Sequence, residues 1–425
     1  MSGRSKLVVA VLAVALLVGM FSVIGLAAPR KVTMWVYAEN NLQEWKGRET
    51  EIEKAQNIDL EIVHVPQTAF IQKLQATMID GKGVPDIIEW LIETNRILNA
   101  DPKKCFVYPL DKYVAKSTGF KNVPAGRVAW VTYGGHVYGL PHDIHPVVLV
   151  YNDTLWKSVG VDVAALETWD DFFAAAQKLA AEKKDGKPLH YALPDLGSLN
   201  GTMFMIWQQS GGQILDKKGN PTLTDPKFKE FVSKYLSWYK TGVMCSWDWG
   251  NFDAMLKNGT LASYASPDWY ISKVDEAAKA GVTFKARPLP LYKKGGPVTA
   301  SWGGTFLAIP RLAKDPDKLY KIAEYMQYSD AIKYRYRDTG MLPPNMKLFD
   351  DESFHLPDPR FGGQKLGELQ IAMAKQMPSV TNGDIFWDIL SSDFNTQYTE
   401  IVAGKISVEE GLKRAQADAL KRVKK

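Results

Sequence analysis

Cysteine is nearly absent: the 425-residue chain holds two, Cys105 and Cys245. A chain this long builds its core without a disulfide scaffold, and the sequence alone leaves open whether the two thiols pair. Histidine is almost as scarce, at six. His136, His142 and His145 lie close together, yet spacings of six and three on an extended segment do not converge on one ion. With no HExxH and no cysteine pair to help, no metal and no cofactor are expected. The chain also lacks a serine nucleophile elbow, a phosphate-binding P-loop, a complete GxGxxG and any internal repeat. Charge of one sign is not in large excess: 52 basic against 47 acidic residues leave +5. Apart from the Lys421–Lys425 tail the cations are scattered, which argues against nucleic acid, since a phosphate-binding face needs concentrated charge.

Long apolar runs are missing as well, with one exception at the start. Arg4 and Lys6 precede the apolar stretch Leu7–Val18, followed by Gly25-Leu26-Ala27-Ala28. A charged start, an apolar middle and a small-residue cleavage site read as a Sec-type secretory signal, residues 1–27, cut between Ala27 and Ala28. Its loss would leave a charge of +3. No cysteine stands there, so a lipoprotein is not expected, and the product is placed in the periplasm or outside the cell. The alternative is retention as an anchor, since Leu7–Leu26 is long enough to span a bilayer.

The remainder has ordinary globular composition, 46% hydrophobic and 23% charged, and its length predicts two lobes. Lys31–Val36, Ile58–Ile62 and Asp86–Trp90 read as strands, with helices over Leu42–Ala55 and around Phe70, Leu74 and Met78. Strand and helix in alternation predict a parallel sheet, with ligands beyond the carboxyl ends of its strands. Those ends carry Tyr37-Ala38-Glu39-Asn40-Asn41 and Trp90-Leu91-Ile92-Glu93-Thr94. Further along, Thr168-Trp169-Asp170-Asp171 is a capping box, and Asp225-Pro226 and Asp315-Pro316 pair a capping side chain with proline at the first helical position. Phe228 to Tyr239 repeats at helical spacing, and Ser407 caps a last helix with Leu412, Ala415 and Ala419 on its buried side. Trp247-Asp248-Trp249 reads as packing ahead of Phe252–Ala262.

A set of short segments then falls in one order: Pro85-Asp86-Ile87-Ile88 with Trp90; Tyr108-Pro109-Leu110-Asp111; Tyr138-Gly139-Leu140-Pro141; Val150-Tyr151-Asn152; Ser210-Gly211-Gly212; Asn258-Gly259; Trp302-Gly303-Gly304; Gly340-Met341-Leu342-Pro343; and Met377-Pro378 with Phe386-Trp387. In these segments the chain, from Lys31 to about Ala419, resembles the extracellular sugar-binding proteins of bacterial ABC importers, the group that includes maltose-binding protein. The resemblance implies an α/β, two-lobed periplasmic-binding-protein fold of type II, with the ligand cleft between lobes joined by crossing hinge segments. Carried over, the crossings fall near Tyr138–His145, Ala262–Tyr264 and Trp302–Thr305. That gives a first lobe of 28–141 plus 264–302 and a second of 142–263 plus 303–425, so Cys105 and Cys245 fall in different lobes.

The implied activity is non-catalytic: capture of a sugar or oligosaccharide and its delivery to the membrane subunits of an ABC importer, by a monomer. A sugar offers a C–H face that suits an aromatic ring and hydroxyls that must be paired when buried. The resemblance assigns Trp90 and Trp387 to stacking, Glu93 to a carboxylate position, and Glu39 and Asn40 to a polar pair after the first strand. Trp269 falls one place off a ligand-facing tryptophan. Trp302 and Gly303 sit at a crossing, with Asp143 and His145 at another and Asn200 a candidate hydroxyl partner. Thr94 and His145 stand where the maltose-binding member has Arg and Glu, which separates this ligand from maltose. The rival readings are a glycan-cleaving enzyme, using two of Glu39, Glu93, Asp143 and Asp268, and a binding protein for peptides or polyamines.

Overall fold

The strand β1, Arg30–Val36, is apolar on its inward positions, and its neighbours on both sides run parallel to it. They are β2, Ile58–His64, and β3, Ile87–Leu91, reached through helices Glu39–Gln56 and Gln67–Asp80. This geometry comes from a computed structural model, which describes residues 29–99 and 101–423; the expected signal segment lies outside the described residues. Asp86, expected to open the third strand, instead accepts from the Thr33 amide (3.0 Å) and the strand begins one residue later.

The chain next crosses to a second sheet. β4, Leu140–Pro141, belongs to the first sheet, whereas β5, Val147–Asn152, is the centre of the second. All six residues of β5 are buried, as an apolar run covered on both faces requires. Its antiparallel partners are β6, Ser263–Pro267, and β7, Phe284–Arg287. β8, Thr305–Ala308, then returns to the first sheet and pairs antiparallel with both β3 and β4, giving the order β2-β1-β3-β8-β4.

These pairings depart from the expected boundaries. Residues 264–302 were assigned to the first lobe, but β6 and β7 are strands of the second sheet; 303 onward was assigned to the second, but β8 completes the first. No crossing occurs at Ala262–Tyr264 because β6 turns back along β5 there. Two crossings do run side by side: Pro146 bridges Ser301, the Val147 amide donates to Ala300 (3.1 Å) and the His142 amide to Thr305 (3.0 Å). A third passage follows helix Pro316–Tyr328. That helix packs Leu319, Tyr320 and Ile322 with Val32 and Met34, whereas Leu342 already packs with Ile144, Phe354 and Ile371.

The local signals hold where they are local. Thr168 and Asp171 form a reciprocal capping box, and Asp225, Asp315 and Ser407 each cap their helix. Each thiol donates to a backbone carbonyl, Cys105 to Ile97 and Cys245 to Leu193. Among the described residues no helix is long and apolar enough to cross a membrane.

Candidate functional site

Where β1 ends, Ala38 offers the following helix no side-chain cap. Glu89 on β3 supplies one from across the sheet, accepting from the amides of Tyr37 (3.1 Å) and Ala38 (3.4 Å) and from Asn41 Nδ2 (2.6 Å). Tyr37 and the first turn of the helix carrying Asn40 are thereby fixed against the sheet. Glu89 is fully buried, and that burial outweighs the three donors and pushes its carboxyl up to about 7. Glu93, just past β3, is half-buried and is pushed by burial to about 7 as well.

Between this edge and the crossings lies a cavity of about 210 Å³, walled by Tyr37, Asn40, Glu93, His145, Trp269 and Arg335 among others. Its floor is a buried ion network. Asp143 pairs with the Arg127 guanidinium and accepts from Thr305 Oγ1 (2.9 Å) and the Thr305 amide (3.3 Å); His145 Nε2 lies 3.0 Å from the same carboxylate. Burial alone would raise Asp143, but His145 and Arg127 outweigh it and hold the carboxyl well below its usual range. His145 stands at φ +58, a left-handed conformation that costs a non-glycine residue energy. The compensation lies in its ring: Nε2 meets Asp143 and Nδ1 meets Asp268. Burial pulls the imidazole pKa down, and the two carboxylates more than reverse this, favouring the cation. Asp268 also accepts from the Leu342 amide (2.8 Å), so one imidazolium ties the first crossing to the second sheet and to the third passage. Arg127 reaches Asp143 by lying across Gly304, where any Cβ would overlap the guanidinium. Arg335 closes the network, donating to the His142 carbonyl (3.0 Å) with Glu44 at 3.6 Å and Asp143 at 3.8 Å.

The opposite wall is aromatic. Trp269 faces the cavity and donates from Nε1 to the Trp302 carbonyl (3.0 Å). Trp302, with its ring 5.3 Å from that of Trp269, donates in turn to Asn200 Oδ1 (2.7 Å). Gly303 permits this approach: a Cβ there would lie 3.0 Å from Trp269 Nε1, and its φ is +79.

Of the residues expected at the site, Asn40, Glu93, Asp143, His145, Trp269 and Gly303 are brought together around the cavity. The others are not. Trp90 is 0% exposed and packs its ring 5.1 Å from Phe306, with Gly139 against its edge; it is a core side chain, because the pleat turns it away from the strand-end cavity. Thr94 is buried and donates to the Leu91 carbonyl. Glu39 is exposed beside His64 and lies off the cavity wall. Trp302 and Asn200 stand behind Trp269 as its support, and the Asn200 oxygen is already engaged by Trp302 Nε1 and the Gly201 amide. Trp387 is half-buried against the main core and is not part of this cavity wall. Sequence reasoning missed Tyr37, Arg127, Arg335 and the structural role of Asp268. Asp268 had a signal, its place beside Trp269; Arg127 and Arg335 had none, because their partners are remote in sequence. Among the described residues no three side chains converge to hold a metal ion: His136, His142 and His145 turn to Asp111, Gln327 and the Asp143–Asp268 pair.

Residues 50–358 match the family described as bacterial extracellular solute-binding protein. The chain is 24% identical over 363 residues to the arabinooligosaccharide-binding protein of Halalkalibacterium halodurans, covering 79% of this chain and 76% of the relative. It is 25% identical over 363 residues to the maltodextrin-binding protein MdxE of Bacillus subtilis, covering 78% and 80%. Among solved structures, the cyclic alpha-maltosyl-1,6-maltose binding protein of Arthrobacter globiformis superposes with a TM-score of 0.75 at 20% identity, covering 93% of this chain and all of that one (100%). That similarity fixes the fold as two-lobed and maltose-binding-protein-like. With nearly three-quarters of its length inside the matched region, the chain belongs to the family of bacterial extracellular solute-binding proteins.

Proposed function

We propose that this protein captures a sugar or oligosaccharide in the cavity between its two lobes, leaves it chemically unchanged, and delivers it to the membrane subunits of an ABC importer from outside the cytoplasm. The observation that carries this reading is the pairing of unlike walls across one cavity: Trp269 on one side, and Asn40, Glu93 and Arg335 on the other. A ring face stacks on the first while its hydroxyls are paired by the second, which a buried polyol requires. The named ligands of the two relatives, arabinooligosaccharides and maltodextrins, support the same class.

The chemistry of the carboxylates supports binding over cleavage. A glycosidase needs two carboxyl groups free to trade protons or attack. Both oxygens of Asp143 are engaged by Arg127, Thr305 and His145, and Asp268 is engaged by His145 and Leu342, which leaves Glu93 as the carboxylate of the cavity wall without a partner of that kind. Closure follows from the ligand itself, since a sugar held by both walls at once favours the closed arrangement.

The test is a thermal-shift screen of the mature protein against a panel of mono- and oligosaccharides. A ligand at about 100 times its Kd adds roughly 2.7 kcal/mol. A shift with at least one sugar, and no release of reducing ends on prolonged incubation, is the expected result. Sustained release of reducing ends, or shifts with peptides or polyamines and none with sugars, would overturn the reading.

A further inference from the structure

We infer that His145 is a positioning residue of the hinge: held between Asp143 and Asp268, its doubly protonated ring sets the path of the first crossing, and loss of one ring proton frees the lobes from the arrangement described above. His145 lies on the cavity wall, yet its ring offers a ligand no free nitrogen, because Nε2 meets Asp143 (3.0 Å) and Nδ1 meets Asp268. What the ring holds instead is the chain that carries it. Residues 142–146 lead from Leu140–Pro141 in the first sheet to Val147–Asn152 in the second. In that stretch His145 has φ +58, and the next residue, Pro146, already bridges Ser301 of the neighbouring crossing. The direction in which the chain leaves the first sheet is therefore set at one left-handed residue, a conformation that a residue other than glycine keeps when its surroundings hold it there.

The chemistry of this clamp demands a cation. A neutral imidazole has one N–H and one lone pair, so it satisfies one carboxylate and turns the lone pair on the other. The imidazolium donates to both. Counting charges leads to the same form. Asp143 and His142 face the ring region from the crossing itself, Arg127 from the helix Ala125–Val128, and Asp268 from just past β6. Arg335 comes from the helix Tyr334–Thr339, Glu44 from the helix Glu39–Gln56, and Glu93 stands on the same cavity wall. Burial and Arg335 press His142 toward its neutral form, and Glu93, pushed up to about 7, carries only part of a charge. Arg127, Arg335 and the imidazolium then balance Asp143, Asp268 and Glu44, three cations against three anions. Removing the ring proton leaves one negative charge in excess where Asp143, Asp268, Arg127 and Arg335 are all buried, and an uncompensated buried charge is costly.

The direction of the effect follows. Burial lowers the imidazole, but Asp143 and Asp268 together raise it above its ordinary 6.5. The pin is therefore fully set below about pH 6.5 and is withdrawn as pH rises through the higher value of the folded protein. One carboxylate then faces a lone pair, and His145 is no longer held in the left-handed region. The crossing and the third passage, joined through Asp268 and the Leu342 amide (2.8 Å), lose their common anchor. The lobes sample wider angles as a result. A ligand needs both walls in register, so capture weakens on the alkaline side through the hinge.

Nitrogen NMR of histidine-labelled protein and small-angle X-ray scattering, both on the ligand-free mature protein across neutral and alkaline pH, test this. His145 should carry a proton on both ring nitrogens at neutral pH, where an unpaired histidine is mostly neutral. The radius of gyration should rise with the same midpoint as the titration of that ring. His145→Asn, which tolerates a left-handed backbone and does not titrate, should abolish the step and keep the larger radius at every pH. Asp268→Asn should move both midpoints down together. Glu93→Gln should keep the step, which separates the ring from the other cavity group that titrates near neutrality. A singly protonated His145 at neutral pH would overturn the inference, as would its titration with no change in radius, or a step that survives His145→Asn. If His145→Asn fails to fold, the coincidence of midpoints in the wild type and their joint displacement in Asp268→Asn decide the matter. None of these readings needs a sugar, so they stand apart from the test of the binding reading.

Discussion

The two walls of the cavity are built from opposite materials. The first-lobe edge is polar and titratable: Glu93, pushed up to about 7, Asn40, Asn41 and Tyr37, with Arg335 beside them and the buried Glu89, also pushed up to about 7, behind them. The second-lobe wall is the indole of Trp269, whose nitrogen donates to the Trp302 carbonyl, with the Trp302 ring behind it donating in turn to Asn200. The aromatic wall contributes by area and shape, which no change of pH alters. The polar wall contributes by directed hydrogen bonds, which depend on protonation. One cavity thus divides ring-face recognition from hydroxyl recognition, and the division can be broken one wall at a time.

The largest effect expected belongs to a tryptophan on neither wall. Trp90→Ala should lower the unfolding free energy by about 3–5 kcal/mol, the usual cost of truncating a buried tryptophan, while the folded protein at low temperature keeps its sugar affinity. Denaturant unfolding beside a titration reads both; lost affinity with unchanged stability would return Trp90 to the cleft. Next, Trp269→Ala should weaken sugar binding by about 2 kcal/mol or more, roughly 30-fold in Kd, with a smaller loss of stability than Trp90→Ala. No loss of affinity would remove Trp269 from the cavity wall.

The smallest effect is on the polar wall and has a defined direction. The folded protein holds a proton on Glu89 up to about pH 7, whereas the unfolded chain releases it near the ordinary 4.5. Stability therefore falls as pH rises from about 4.5 to about 7 and levels off above. Glu93 shifts the same way, with its share reduced by exposure to solvent. Glu44 acts oppositely: burial would raise it, but Arg335 and His142 bring it down to about 2, so its contribution is lost as pH falls from about 4.5 toward 2. Glu89→Gln should flatten the slope between pH 4.5 and 7 in a series of denaturation midpoints and leave the acid limb intact. An unchanged slope would mean that Glu89 is ionised throughout.

What could be read from the sequence was what the chain decides locally. The Thr168 capping box, the proline-started helices and β1 to β3 depend on neighbours within a few residues, and they stand where the spacing puts them. The lobe boundaries depend on pairing across hundreds of residues, and nothing in Phe284–Arg287 or Thr305–Ala308 announces which sheet each strand joins. Trp90 failed for a related reason. All five residues of β3 are buried, so alternation does not mark which face meets the cavity, and nearness to the strand end favoured the wrong side chain. Asp143 and His145 reach the cavity, but the sequence does not show Arg127 or Asp268 approaching them to form the ion network. The packing reading of Trp247-Asp248-Trp249 does not distinguish the buried Trp247 from Trp249, which belongs to the same aromatic cluster but is half-exposed.

The return of β8 to the first sheet has a consequence in time as well as space. During synthesis, every strand of the second sheet, from Val147 to Arg287, has emerged before Thr305 does. Until β8 arrives, β3 has an open edge and β4 has no partner, so the sheet whose strands are made first is completed after the second sheet. A nascent chain released early, or held extended by an export machine, is therefore one whose amino-terminal third cannot finish folding on its own, and the order of translation itself keeps that third in an unlocked form.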